Sequence, residues 1–391
     1  RRSIRSLRAT LVAKVFHLTT VHPRSDIRIR VKELGSLAKG NLHELTLVVA
    51  DGQGTANLSQ EEQLKIVDLG VLPGNRIRRA LAGIWRASAL IRRERPDLVH
   101  FHDPELIPVG FWAKAMGSTV VYDIHEDAPQ LAHSRAWVPA AIRYPLVWFI
   151  ASTEWLLARF ADGLVPATPH IARRFPRHKT VVVQNFPLIS ELRTPQERTH
   201  SERDECFVYI GVISAARCAV EMTRAISLLR RDEVRLELAG MFESAELRAD
   251  LESECGWRKT EYHGTISRPQ VAHALSRARA GLVIFKPAPN HMRAQPNKMF
   301  EYMSAGLPVI ASDFPLWKEI ISENECGVLV DPENPEDIAE AMRWILNNPE
   351  EAEAMGLRGQ KSISETYNWS VEEGKLTTLY DQLLAIRGSN L

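Results

Sequence analysis

Long apolar runs are missing from this chain of 391 residues, and so is any clustering of its four cysteines. No run approaches the ~20 residues that span a bilayer, and no signal-peptide pattern opens the sequence. The first residue is Arg1 rather than Met, which leaves the question of upstream residues open. Cys206, Cys218, Cys255 and Cys326 lie far apart with no metal-ligand spacing, so reduced thiols of a cytosolic protein are the expectation. No two histidines stand at His-x-x-x-His spacing, the helical zinc signature. Neither half carries a recognised nucleic-acid module, and nucleic acid is not an expected partner.

What is present is enough chain for two domains, each with its own core. Charge divides unevenly: residues 1–190 hold 26 Lys/Arg against 16 Asp/Glu, and residues 191–391 hold 23 against 32. A basic first half attracts an anionic partner, either a phosphate-bearing lipid or a membrane surface. Apolar runs that read as strands (Val12–His22, Leu45–Ala50, Leu98–Phe101, Thr119–Asp123, Thr180–Val183) alternate with helical patterns. In Asn75–Arg95, Ile77, Leu81, Ile84, Trp85 and Ile91 recur at helical spacing, which predicts a buried face with arginines opposite. Pro139–Asp162 is apolar nearly all round and suits either a helix buried between layers or one touching lipid, with Arg143 and Arg159 near its ends. Pro187–Cys206 turns polar without periodicity, as a linker does. The second half repeats the alternation, so the expected fold class is α/β with two doubly wound parallel sheets.

The most informative stretch is Pro296–Ser312, which predicts a short helix, a tight stop at Gly306 and a buried strand. Asn297, Lys298 and Glu301 share one face near the helix start. A cation beside unpaired backbone N–H groups suits a phosphate ester, and a carboxylate one turn further in can accept hydrogen bonds from two ribose hydroxyls. Polar clusters also follow predicted strands in the first half: His22 to Arg28 with Asp26, His100-Phe101-His102-Asp103-Pro104-Glu105, and Tyr122-Asp123-Ile124-His125-Glu126-Asp127. His17 and His100 read best as hydrogen-bonded structural residues, and His102 and His125 as better placed for function. These groups contain metal-ligating residue types, but the pattern repeats at strand ends rather than on one helix, and no metal is expected.

The Phe300-Glu301-x-Met303-x-x-Gly306-x-Pro308-Val309-Ile310-Ala311 run resembles the nucleotide-sugar helix of retaining glycosyltransferases of family 4, which have the GT-B fold. His102-Asp103-Pro104-Glu105-Leu106, Tyr122-Asp123-x-His125-Glu126 and Pro296-Asn297-Lys298 are similar to a branch of that family engaged in surface-polysaccharide assembly. The resemblance implies two Rossmann-like domains facing a central cleft: an acceptor-binding domain over 1–195, a nucleotide-sugar domain over 203–370, and a helix over 371–391 crossing back to the first. It implies that His125 faces the donor sugar and that Asp26, Arg28, His102, Asp103 and Glu126 line the acceptor side. Gly211 and Arg217 match the loop that holds the diphosphate, with Asn297, Lys298 and Glu301 completing the donor site. His125, Arg217 and Lys298 are then the catalytic candidates.

Two positions depart from the family pattern. Val212 stands where a second cation is usual, and Arg293 where the first glutamate of Glu-x7-Glu is usual. Lys298, joined by Arg293, is read as replacing the missing positive charge. No Asp-x-Asp occurs, which argues for a metal-independent reaction without cofactors. Expected partners are a nucleotide-diphosphate sugar, UDP-linked rather than GDP-linked, a glycan or lipid-linked acceptor, and an anionic membrane surface on the cytoplasmic side. The competing readings are a nucleotide-sugar 2-epimerase on the same fold and a non-catalytic nucleotide-sugar-binding or scaffold subunit.

Overall fold

Strand-length apolar runs separated by helices give two parallel sheets, one in each of two units: residues 1–185 with 372–391, and residues 186–371. The computed structural model describes residues 12–40, 43–57, 64–130, 140–189, 192 and 199–389. Much of the predicted linker over 187–206 therefore lies outside the described residues.

The first unit carries seven strands: β1 (Ala13–Leu18), β2 (His43–Val49), β3 (Ala56–Asn57), β4 (Leu64–Asp68), β5 (Leu98–Phe101), β6 (Thr119–Ile124) and β7 (Gly163–Pro166). Their order is β3-β4-β2-β1-β5-β6-β7, parallel except for β3 on β4. Every residue of β5, β6 and β7 is buried, as expected of strands covered on both faces. The order reverses direction between β1 and β5, and the loops leaving β1, β5 and β6 bring the three polar clusters side by side. Helices α1 (Ile27–Leu34), α2 (Arg76–Glu94), α3 (Ile107–Ala115) and α4 (Ala140–Phe160) connect the strands. Thr180–Val183 is not a strand. It contributes one bridge, Thr180 to Leu164, and two backbone bonds to β7 before turning away.

Helix α2 buries only part of the face its sequence suggests, with Ile91 buried and Ile84 partly so, and α4, apolar nearly all round, buries one side. In α2 the buried positions are Gly83, Ala87, Leu90 and Ile91, while Ile77, Leu81 and Trp85 are 71%, 61% and 72% exposed. The first half of the helix approaches closely: a Cβ on Gly83 would lie 3.1 Å from Thr20 Cγ2, so a small residue is needed there, while Leu90 and Ile91 fill the wider space nearer its end. In α4, Glu154, Leu157 and Ala158 face inward, and Trp148 and Trp155 stand out at 73% and 60% exposure.

The second unit has six parallel strands in the order β10-β9-β8-β11-β12-β13, formed by β8 (Cys206–Ile210), β9 (Arg235–Ala239), β10 (Thr260–Tyr262), β11 (Ala280–Val283), β12 (Val309–Ser312) and β13 (Gly327–Val330). Helices α5 (Arg268–Arg277) and α6 (Asn297–Ser304) flank β11 in sequence. Gly306 closes α6 at φ +69°, and Leu307 N–H returns to Tyr302 C=O at 3.0 Å, so the predicted stop and buried strand are found. Among the described helices without a counterpart in the sequence reading are Ala245–Ser253, Pro315–Asn324 and Pro349–Glu365. Helix α7 (Trp369–Ser389) ends the described chain.

Candidate functional site

In the first unit the polar clusters form one buried network. Asp123, at the end of β6, accepts from Arg28 through Nε at 3.1 Å and Nη2 at 2.9 Å. It also lies 3.1 Å from His102 Nδ1 and 3.0 Å from His125 Nε2. His102 Nε2 reaches His17 Nδ1 at 3.1 Å, and the Tyr380 hydroxyl bridges His17 at 2.8 Å and His100 at 2.7 Å. This bears out the structural reading of His17 and His100. Arg28 meets a second carboxylate, Glu33, at 3.0 Å, because α1 is a wide helix that aligns residues five apart. Neither Glu33 nor Tyr380 carried a signal in the sequence: one lies in the last turn of α1 and the other 363 residues from His17.

The charges balance. Burial opposes the Asp123 carboxylate, yet the Arg28 guanidinium and the His125 and His102 imidazoles hold its pKa well below the usual range. Burial, then repulsion from Asp123, pushes the Glu33 pKa well above its ordinary value. Burial lowers the pKa of His17, His100 and His102 and keeps them neutral. Arg28 and Asp123 are thus the ion pair of this interior, and burial disfavours charge on the groups around them.

Asp103 is 2% exposed and accepts from Thr19 and Thr20 hydroxyls at 3.0 and 3.2 Å, which fixes the loop after β1. Asp26 caps α1 by accepting from Ile29 N–H at 3.0 Å and pairs with His22 at 3.3 Å. Burial works against Asp26, but His22 and the Ile29 N–H lower its pKa to about 2. His125 is the partly exposed end of the chain, its side chain 17% accessible, and Glu126 is exposed beside it.

Among the described residues, Glu33, His100, His102 and Asp123 could hold a metal ion, their ligand atoms lying within 4.8 Å of one another. Arg28 already sits on both carboxylates of that set, so a cation of the protein's own fills the role. Glu237, Glu261 and His263 form a second such group.

In the second unit, Lys298 and Glu301 meet one turn apart at 2.9 Å, and Arg268 reaches the other oxygen of Glu301 at 3.0 Å. Their side chains are only 23%, 13% and 32% exposed, which distinguishes them from a solvated surface pair. Burial opposes the Glu301 carboxylate, but Lys298 and Arg268 lower its pKa. Arg268 was missed in the sequence, although it opens α5 directly after the loop that leaves β10. Gly211 follows β8 at φ +153°, and a Cβ there would lie 3.6 Å from Lys298 Cε and 3.3 Å from the Tyr209 hydroxyl. Arg217 stacks on the Phe285 ring at 4.6 Å, and the Tyr209 hydroxyl donates to Val212 C=O at 2.7 Å. Gly211, Arg217, Lys298 and Glu301 thus share the mouth of β8 and β11, with Asn297 exposed at the start of α6. Arg293 is exposed just past the short helix Pro289–Met292.

Residues 191–362 match the family model for glycosyl transferases group 1, and residues 27–185 match the glycosyl transferase 4-like domain. The chain belongs to the glycosyl transferases group 1 family. This glycosyltransferase is 23% identical over 309 residues to sulfoquinovosyl transferase SQD2 of Arabidopsis thaliana, covering 73% of this chain and only 56% of that relative's length. It is 21% identical to the MMP alpha-(1->4)-mannosyltransferase of Mycolicibacterium hassiacum, with 77% of this chain and 74% of the other matched. Its fold is similar to sucrose-phosphate synthase from Thermosynechococcus elongatus, with TM-score 0.75, 16% identity and coverage of 95% and 99%. It is also similar to Anabaena HepE solved with UDP-glucose, with TM-score 0.70, 11% identity and coverage of 95% and 100%.

Proposed function

We propose that this glycosyltransferase moves a sugar from a nucleotide-diphosphate sugar to an acceptor hydroxyl with retention of anomeric configuration. The observation that carries the reading is the Lys298–Glu301–Arg268 group beside Gly211. A carboxylate offers about four acceptor positions, and two are occupied here. The remaining two suit the paired hydroxyls of a ribose, while Lys298 and Arg217 supply positive charge for a diphosphate. The UDP-glucose held by HepE supports UDP as the nucleotide.

Cleavage of the bond from anomeric carbon to phosphate oxygen leaves the electron pair on the departing diphosphate and positive character on the sugar. Cations aimed at that leaving group stabilise the transition state more than the ground state. The acceptor oxygen attacks from the leaving-group side and passes its proton to the diphosphate, so no protein nucleophile or metal is invoked. His125, its ring oriented by Asp123, is assigned to the donor sugar, and Asp26, Arg28, His102, Asp103 and Glu126 to the organisation of the acceptor side.

The excess of basic residues in the first half supports a lipid-linked acceptor met at an anionic membrane surface, in surface polysaccharide or glycolipid assembly. A thermal-shift panel of nucleoside diphosphates and their sugars tests the donor. A ligand at 100 times its Kd stabilises by about 2.7 kcal/mol. No shift with any nucleotide, or nucleotide binding without release under any acceptor mixture, would remove the transferase reading.

A further inference from the structure

Three neighbouring helices of the first unit present an aromatic face to solvent. Helix α2 joins α3 through Trp112 Nε1, which donates to Ser88 C=O at 3.1 Å, and α3 joins α4 through Phe111 and Phe160, whose rings are 5.8 Å apart. From this layer Trp85, Tyr144, Trp148, Phe149, Trp155 and Phe160 project at 51–73% exposure. At ~150–250 Å² per aromatic side chain, they expose roughly 700 Å², above the few hundred Å² usual for a contiguous patch on a monomer.

The charge around this face is one-sided. The three helices carry nine Lys/Arg and two Asp/Glu. Both acids are already engaged: Glu94 with Lys14 at 2.6 Å, and Glu154, buried, with Arg174. On α2, Arg78, Trp85 and Arg92 follow at intervals of seven, so cations and indole lie on one stripe. Arg159 lies over the Trp155 ring at 5.1 Å. No helix among the described residues is long and apolar enough to cross a membrane.

We propose that this three-helix face is the surface by which the protein docks on an anionic phospholipid bilayer, with its tryptophans inserted at the level of the headgroups. Indole and phenol rings have an apolar body and a polar edge, which suits that interface. The surrounding arginines pair with lipid phosphates while their stems cover apolar surface. A second copy fits less well, because a two-fold contact sets the same arginine fringe against itself. The inference rests on the membrane reading above and changes its mechanism from charge attraction alone to insertion.

The test uses the full chain with vesicles of phosphatidylcholine alone, and with phosphatidylglycerol added, each with and without brominated acyl chains. The expected result is binding to the anionic vesicles with quenching of tryptophan fluorescence by the brominated lipid. In Trp148→Ala/Trp155→Ala, binding should fall at least tenfold and quenching should largely vanish, with the thermal midpoint and nucleotide affinity unchanged. Equal binding by wild type and variant without quenching would overturn insertion and leave the electrostatic membrane reading standing. Absence of binding to every vesicle would overturn both. Concentration-dependent self-association that the double variant abolishes, without vesicle binding, would assign the face to a second copy and overturn the proposal.

Discussion

The guanidinium of Arg28 grips the Asp123 carboxylate through two parallel hydrogen bonds, at 2.9 and 3.1 Å, with both side chains 5% exposed or less. Planar fork-to-carboxylate pairing of this kind fixes both partners at once. Asp123 is thereby held where it also orients His102 and His125.

Removing the carboxylate should expose what the pair does. Asp123→Ala leaves Arg28 in the interior without its main anion, and breaking a buried pair in this way costs about 3–5 kcal/mol. Urea unfolding measures it, and a loss below about 1 kcal/mol would contradict the arrangement.

The buried histidines set an acid limit on stability. Burial first, then neighbouring imidazoles, lowers the pKa of His17, His100 and His102 from 6.5. Below that value the unfolded chain takes up protons that the folded chain refuses, so stability falls as pH drops. Each histidine contributes up to about 1.4 kcal/mol per pH unit. Between pH 7.5 and 5.5 the urea midpoint should fall, and it should fall less in His100→Asn. Superimposable profiles for the two proteins would refute this origin.

Glu301→Ala should weaken nucleotide binding at least tenfold while the fold survives. Two charge-assisted hydrogen bonds to ribose hydroxyls are each worth ~1.5–3 kcal/mol. Calorimetry with UDP and GDP is the check, and unchanged affinity for both would sink the assignment.

Lys298→Ala and Arg217→Ala should each depress kcat about 10²–10³-fold, more than they weaken donor binding. Wild-type activity should survive EDTA. Full activity in Lys298→Ala, or its loss to EDTA in the wild type, would contradict leaving-group stabilisation by side chains.

The Lys298–Glu301 pair was legible because its signals are local. Pro296, Lys298, Glu301 and Gly306 lie within eleven residues, and helix spacing alone brings Lys298 onto Glu301. Arg268 was harder, since it comes from another helix 33 residues away. Ile77, Leu81 and Trp85 were misread for a different reason. Periodicity reports which residues share a face, not whether that face meets the sheet.

Strand-forming runs, helix stops and the alternation of the two determined the doubly wound sheets, because each depends on backbone geometry over a few residues. Tertiary structure alone decided that Gly83 and Ala87 rather than Trp85 would face inward, Gly83 against Thr20 in the loop after β1, where a larger side chain would not fit. It alone decided that Arg28, Asp123, His102, His17 and Tyr380 would share one interior. Their hydrogen bonds close only when strand order and a terminal helix bring distant segments together, and a buried charge settles only where its partner already stands.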